Sequence, residues 1–192
     1  MADESAALEL FQKRLFTDVA AWVLRSYGQE ILSYLFSLER TPHEADDVFS
    51  DFCVALCQSL PQFRAECSLR TFAYVLARRQ WARSRRTRAR RRIETPLGSE
   101  LDAIAMQVRT STAEHLRSGP RDRLARLREA LDDDDRTLLV LRLHRKLSWP
   151  EIARVLSEAE PDAQEVSRYA ALLRKRYERI KQQLRRELRG AE

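Results

Sequence analysis

Pro61-Gln-Phe-Arg-Ala-Glu-Cys-Ser-Leu-Arg-Thr-Phe-Ala-Tyr74 leads, with no further acid, into Arg83-Ser-Arg-Arg-Thr-Arg-Ala-Arg-Arg-Arg92. It joins a short polar loop to a helix with two unlike faces. Ser68 is placed to cap that helix, and Leu69, Phe72, Ala73 and Leu76 recur at helical spacing as a stripe for burial. The other face carries Arg70, Tyr74, Arg78, Trp81 and Arg85, cations interleaved with rings. If exposed, this face suits a nucleic-acid strand, because guanidinium neutralises phosphate and a ring offers a stacking platform for an unpaired base. A solvated basic helix with its rings turned into the core is the plainer reading of the same residues. The rest of the chain favours the exposed face.

Outward from this stretch, the 192 residues are rich in Leu, Ala, Arg and Glu, and hold only 4 glycines. Strong helix formers with few β-branched runs predict an all-α protein. Charge is uneven: residues 1–60 are net acidic, the middle third is strongly basic and the last third is near balance. Such asymmetry predicts partners of opposite electrostatic character. Ala2 to Glu9 is small and acidic, unlike a signal peptide, and no apolar run is long enough to span a bilayer. A cytoplasmic protein without membrane insertion is expected. Cys53, Cys57 and Cys67 include no Cys-x-x-Cys pair, so reduced thiols are expected rather than a metal site.

Apolar spacing predicts a first helix over Ala6–Tyr27, a break at Gly28 and a second helix through Ile31, Leu35 and Leu38. Thr41-Pro42-His43-Glu44 reads as a capping box with proline at the first helical position, opening a third helix that runs to about Leu60. Its apolar side is Ala45, Val48, Phe49, Phe52, Leu56 and Leu60. Glu44, Asp47 and Asp51 line another side, with Asp46 and Ser50 beside them. The macrodipole accounts for the acids of the first turn but reaches Asp51 poorly, so a docking surface for a basic partner is expected. Residues 93–119, with Thr95-Pro96, Gly98-Ser99 and Ser118-Gly119-Pro120, read as a flexible linker with transient helix around Leu101–Val108.

Beyond the linker, Arg121–Leu131 is a predicted helix, and the acids Asp132 to Asp135 open another through Leu143. Ser148-Trp149-Pro150-Glu151 is a second capping box, starting a helix of about two turns. A polar turn, Ser157 to Pro161, precedes a third capping arrangement, Asp162 to Glu165. The last helix has Val166, Ala170, Leu173, Tyr177, Ile180 and Leu184 as its seam. Short helix, turn, long helix is the outline of a helix-turn-helix, whose second helix enters the DNA major groove.

Taken together, these residues resemble bacterial RNA polymerase sigma factors, specifically the small extracytoplasmic-function type of the sigma-70 family. Ala45-Asp-Asp-Val-Phe-Ser-Asp-Phe-Cys-Val-Ala-Leu56 is similar to the acidic helix with which these factors grip the polymerase clamp. Pro61–Tyr74 is similar to the loop and helix that open and hold the minus-ten element. Leu147-Ser-Trp-Pro-Glu-Ile-Ala-Arg-Val-Leu156 resembles the first helix of their minus-thirty-five reader. The resemblance implies two small helical domains, 1–92 and 120–192, joined by the linker 93–119, the second a helix-turn-helix.

It also implies roles for particular residues. Asp46, Asp47, Ser50, Asp51 and Phe52 would dock on polymerase. Gln62, Arg64, Arg70, Tyr74, Arg78, Arg79 and Trp81 would hold the single-stranded minus-ten element, with a base flipped into the loop Gln62–Ser68. Gln164, Ser167, Arg168, Arg174 and Lys175 would meet the minus-thirty-five duplex. The implied partners are core RNA polymerase (clamp helices and flap) and promoter DNA, with an anti-sigma factor compatible with the type; no cofactor or metal is implied.

Three departures stand out. Ala65 occupies a position where glycine is common, and Cys67 one where a small hydroxyl residue is frequent. Trp81 and Arg83 replace less bulky or acidic types. The turn before the last helix is about three residues longer than in the family, and that helix starts with few cations.

A duplex-binding regulator that never touches polymerase would leave the acidic helix unexplained. A non-specific RNA- or single-strand-binding protein would leave the helix-turn-helix unexplained. Three histidines, no phosphate-binding glycine loop and no nucleophile motif argue against an enzyme.

Overall fold

Several helix starts, at Thr41, Ser68, Asp132, Ser148 and Asp162, are written in local capping chemistry, and the computed structural model shows where they lead. It describes residues 3–39, 41–86, 97–116 and 131–189. Among them are helices and turns and no strand: α1 (Ser5–Gln12), α2 (Phe16–Leu38), α3 (Pro42–Ser59), α4 (Leu69–Arg86), α5 (Ser99–Leu116), α6 (Asp133–Leu139), α7 (Trp149–Leu156) and α8 (Ala163–Arg189). The chain is all-α. It divides into two compact units, Met1–Ser118 and Gly119–Glu192. The predicted helix Arg121–Leu131 and the end of the arginine run fall outside the described residues, apart from Leu131, which is buried.

In the first unit the predicted long opening helix is two. α1 ends because Arg14 takes φ 59°, with Leu15 N donating to Leu10 O and Arg14 N to Phe11 O, a Schellman-type stop made without glycine. Gly28 does not interrupt; α2 runs through it to Leu38. Lacking a Cβ, Gly28 admits the side chain of Val108: a Cβ there would stand 2.9 Å from Val108 Cγ2. The expected linker is corrected over much of its length. Residues 99–116 form α5, with Leu101, Ile104, Ala105, Val108 and Thr112 buried within this unit.

The capping box on α3 is present: Thr41 N donates to Glu44 Oε2 at 3.2 Å and Glu44 N to Thr41 Oγ1 at 3.3 Å. α4 packs on both α2 and α3. Its buried sector therefore includes Leu69, Thr71, Ala73, Tyr74, Leu76, Ala77 and Trp81, wider than one apolar stripe.

In the second unit, Asp132 caps α6 by accepting from Asp135 N at 2.7 Å, and a π-helical turn, Val140–His144, extends it. Arg176 of α8 bonds Asp132 and Asp135, tying the two helices together. The boxes at Ser148/Glu151 and Asp162/Glu165 both close. Val166, Ala170, Leu173, Tyr177 and Ile180 form the buried seam of α8; Leu184 is only partly covered.

Candidate nucleic-acid interface

The loop between α3 and α4 is built around one ring. A 3-10 turn, Leu60–Gln62, delivers Phe63 into the core, where it lies 5.5 Å from Phe11 and 4.7 Å from Phe72, ring centre to ring centre. Beyond this anchor the chain reverses at Ala65, which takes φ 55°. That is the left-handed region where glycine is at ease, which gives a physical reason why glycine suits the position. Gln62, Arg64, Ala65, Glu66 and Ser68 are exposed at the tip, and Arg64 Nη2 meets Glu66 Oε1 at 2.8 Å. Ser68 caps α4 as its sequence predicts, accepting from Thr71 N at 3.0 Å.

A second cap was not legible in the sequence. The Glu4 carboxylate accepts from Leu69 N at 2.8 Å and Arg70 N at 3.0 Å, and from the Tyr27 hydroxyl at 2.9 Å. An acid at the start of the chain thus fixes the start of α4, where the macrodipole favours negative charge. Burial first, and then this bond to Glu4, push the Tyr27 phenol well above its ordinary range.

Glu30 on α2 is the other residue that sequence pattern did not single out. Its carboxylate accepts from Arg70 Nε at 3.2 Å, from Arg70 Nη2, and from the Tyr74 hydroxyl at 2.8 Å. This corrects the expected interface. Tyr74 is fully buried, edge-on to Tyr34 at 5.2 Å, and Arg70 is largely covered and committed to Glu30. Trp81 is 2% exposed, with Arg78 lying 4.4 Å and Arg85 5.5 Å from its ring centre. The plainer reading holds for both rings: they turn inward because α4 is covered on two sides. Neither offers a stacking face. Arg78 and Arg79 are half-buried in the middle of α4, well beyond the loop tip in sequence.

On α3, Asp51 is exposed and Asp46 and Asp47 are half-buried, with His43 Nε2 3.8 Å from Asp47. Phe52 is corrected from a docking residue to a core residue; it has no exposed surface and lies 5.7 Å from Phe49, ring centre to ring centre. Ser50 is occupied from within the chain, donating to Asp46 O at 2.9 Å and accepting from Arg109 Nη2 at 2.6 Å. Cys53, also in the core, has its thiol pushed up to about 12 by burial, against the opposing pull of Arg109.

In the second unit Gln164, Ser167, Arg168, Arg174 and Lys175 are all exposed on α8. The Arg174 guanidinium sits 5.8 Å from the Trp149 ring, which packs edge-on against Tyr177. Arg142 covers the same ring at 4.8 Å and donates to Leu147 O at 2.8 Å. The start of α7 is thereby bound to the middle of α8, and the exposed side chains project from a braced helix.

Among the described residues no group of histidines, cysteines and acids could hold a metal, and no helix is long and apolar enough to cross a membrane. Residues 23–91, from α2 through the loop and α4, match the family model Sigma-70 region 2. The chain is also 29% identical over 133 residues to the RNA polymerase sigma factor YlaC of Bacillus subtilis (strain 168), covering 69% of this chain and 76% of that one. No solved structure matches. Both likenesses are to RNA polymerase sigma factors, in line with the extracytoplasmic-function resemblance drawn from its residues.

Proposed function

We propose that this chain is a promoter-specificity subunit with no catalytic group of its own, working in the cytoplasm as two domains. The acidic side of α3, through Asp46, Asp47, Ser50 and Asp51, docks on the clamp helices of core polymerase. The loop Gln62–Ser68 receives a base extruded from the minus-ten element, and Arg64, Arg78 and Arg79 hold the strand's phosphates. Extruding a base costs a few kcal/mol, offset here by the loop and the phosphate contacts rather than by stacking on Tyr74 or Trp81.

The second unit acts as a helix-turn-helix. Gln164, Ser167 and Arg168 meet the minus-thirty-five duplex, while Arg174 and Lys175 meet phosphate. The same reading gives this unit the polymerase flap as its protein partner and makes an anti-sigma protein a natural competitor for α3.

One observation supports the reading most strongly. Within the span that matches region 2, a ring-anchored loop presents an exposed polar tip at the capped start of an arginine-rich helix. The test is a charge reversal in the full chain. Asp47→Lys with Asp51→Lys should weaken core polymerase binding by about tenfold or more while duplex binding by the same protein is unchanged. Holoenzyme formation at wild-type affinity would refute the clamp assignment.

A further inference from the structure

α5 is seated rather than merely adjacent. Gly28 leaves room for Val108 where any Cβ would collide with it. Three polar ties reinforce the apolar seam: Arg25 Nη2 to Glu100 at 3.0 Å, Gln29 Nε2 to Ser111 Oγ at 2.7 Å, and Arg109 Nη2 to Ser50 Oγ at 2.6 Å. The last reaches the acidic side of α3, and the same guanidinium lies 5.7 Å from the Phe49 ring centre. A cation from α5 thus rests on a residue of the set assigned to polymerase docking. The contact is imperfect, since Arg109 Nε is buried with no hydrogen-bond partner among the described residues. α5 also lies beyond residues 23–91, where the region 2 match ends.

We propose that α5 occupies part of the polymerase-docking surface of α3 in the free protein, with Arg109 standing where a basic side chain of the incoming polymerase helix would sit, and that core polymerase displaces it. The inference rests on the docking role proposed above. Displacement exchanges an incompletely bonded internal guanidinium for an external one, so the internal contact lowers affinity without abolishing it. Such a resident helix also suppresses association with other basic partners, because any competitor must first remove it.

A disulfide lock tests this directly. A Cβ at position 28 would lie 3.7 Å from Val108 Cβ, within the span of a disulfide. The double substitution Gly28→Cys/Val108→Cys removes the methyl groups that would collide. With the 28–108 bridge verified by peptide mass and the helical circular dichroism unchanged, the oxidised chain should bind core polymerase at least about tenfold more weakly than the reduced chain. A second variant, Arg109→Ala, frees Ser50 and should tighten binding by about threefold. Equal affinity of oxidised and reduced forms, or weaker binding by Arg109→Ala, overturns the proposal. A wild-type chain that binds no core polymerase would instead bring down the docking role itself, and this inference with it.

Discussion

Ala65 shows how much a single backbone angle can reveal. An L-residue in the left-handed region costs roughly 1–2 kcal/mol, part of which glycine avoids. Ala65→Gly should therefore raise stability by about 1 kcal/mol, seen as a higher urea midpoint at unchanged slope; a lower midpoint would mean the turn is not strained. Cys53 offers a second test. Its folded thiol keeps its proton to about 12 against an ordinary value of 9.0, chiefly because it is buried. The folded pKa is raised, so the stability this group contributes is complete below about pH 9 and is lost as pH climbs toward 12. Cys53→Ala should be less stable than wild type near pH 7 by about 1–2 kcal/mol, and that gap should shrink above pH 9 in urea titrations. At this scale the capping residues Thr41, Ser68, Ser148 and Asp162 were legible, since a cap and its partner lie within three or four positions. The fates of Tyr74 and Trp81 were not, whereas apolar spacing had already put Phe52 on the buried side of α3, against the docking role that the resemblance implied. Spacing places a ring on a side of a helix, but the neighbouring helices decide whether that side is covered.

At the scale of elements, α4 depends on a helix far from it in sequence. Glu4→Ala removes a carboxylate from two backbone donors and a phenol, and should cost about 1–3 kcal/mol. Amide exchange at Leu69 and Arg70 should speed up more than at mid-α4; uniform acceleration would assign Glu4 a general packing role. Gly28→Ala gains helix propensity of about 1 kcal/mol in α2 yet forces Val108 away. Exchange of the α5 amides around residues 104–112 should then rise while α2 stays protected, and unchanged protection of α5 would show that the seat relaxes freely.

The sequence identified α3, α4 and α7 by their caps and apolar periods. It misjudged the α1–α2 junction because Arg14 makes a glycine's turn, and α5 because its polar outer face and flanking turn residues masked a buried seam. A glycine that admits another helix and a glycine that ends one look alike without the third dimension.

For the whole molecule, the division of labour between the units is itself testable. Substituting Arg174 and Lys175 by alanine should lower duplex affinity evenly across sequences and reduce the salt slope by about 2, whereas Gln164→Ala should relax preference at one base pair. A sequence-dependent loss in the first variant would move those cations from phosphate to base. Release of α5 on polymerase binding would add its 18 residues to the connection between units. The uneven charge of the chain, acid early and arginine in the middle, suggested two kinds of partner. Charge asymmetry of this kind acts through long-range fields rather than packing, and so is visible in composition alone. The most direct measurement of the central claim is to map transcript 5′ ends made by core RNA polymerase with and without the purified chain. New starts that share upstream elements at fixed spacing, and that vanish with Asp47→Lys/Asp51→Lys, are the expected result. Starts identical to those of core polymerase alone would contradict it.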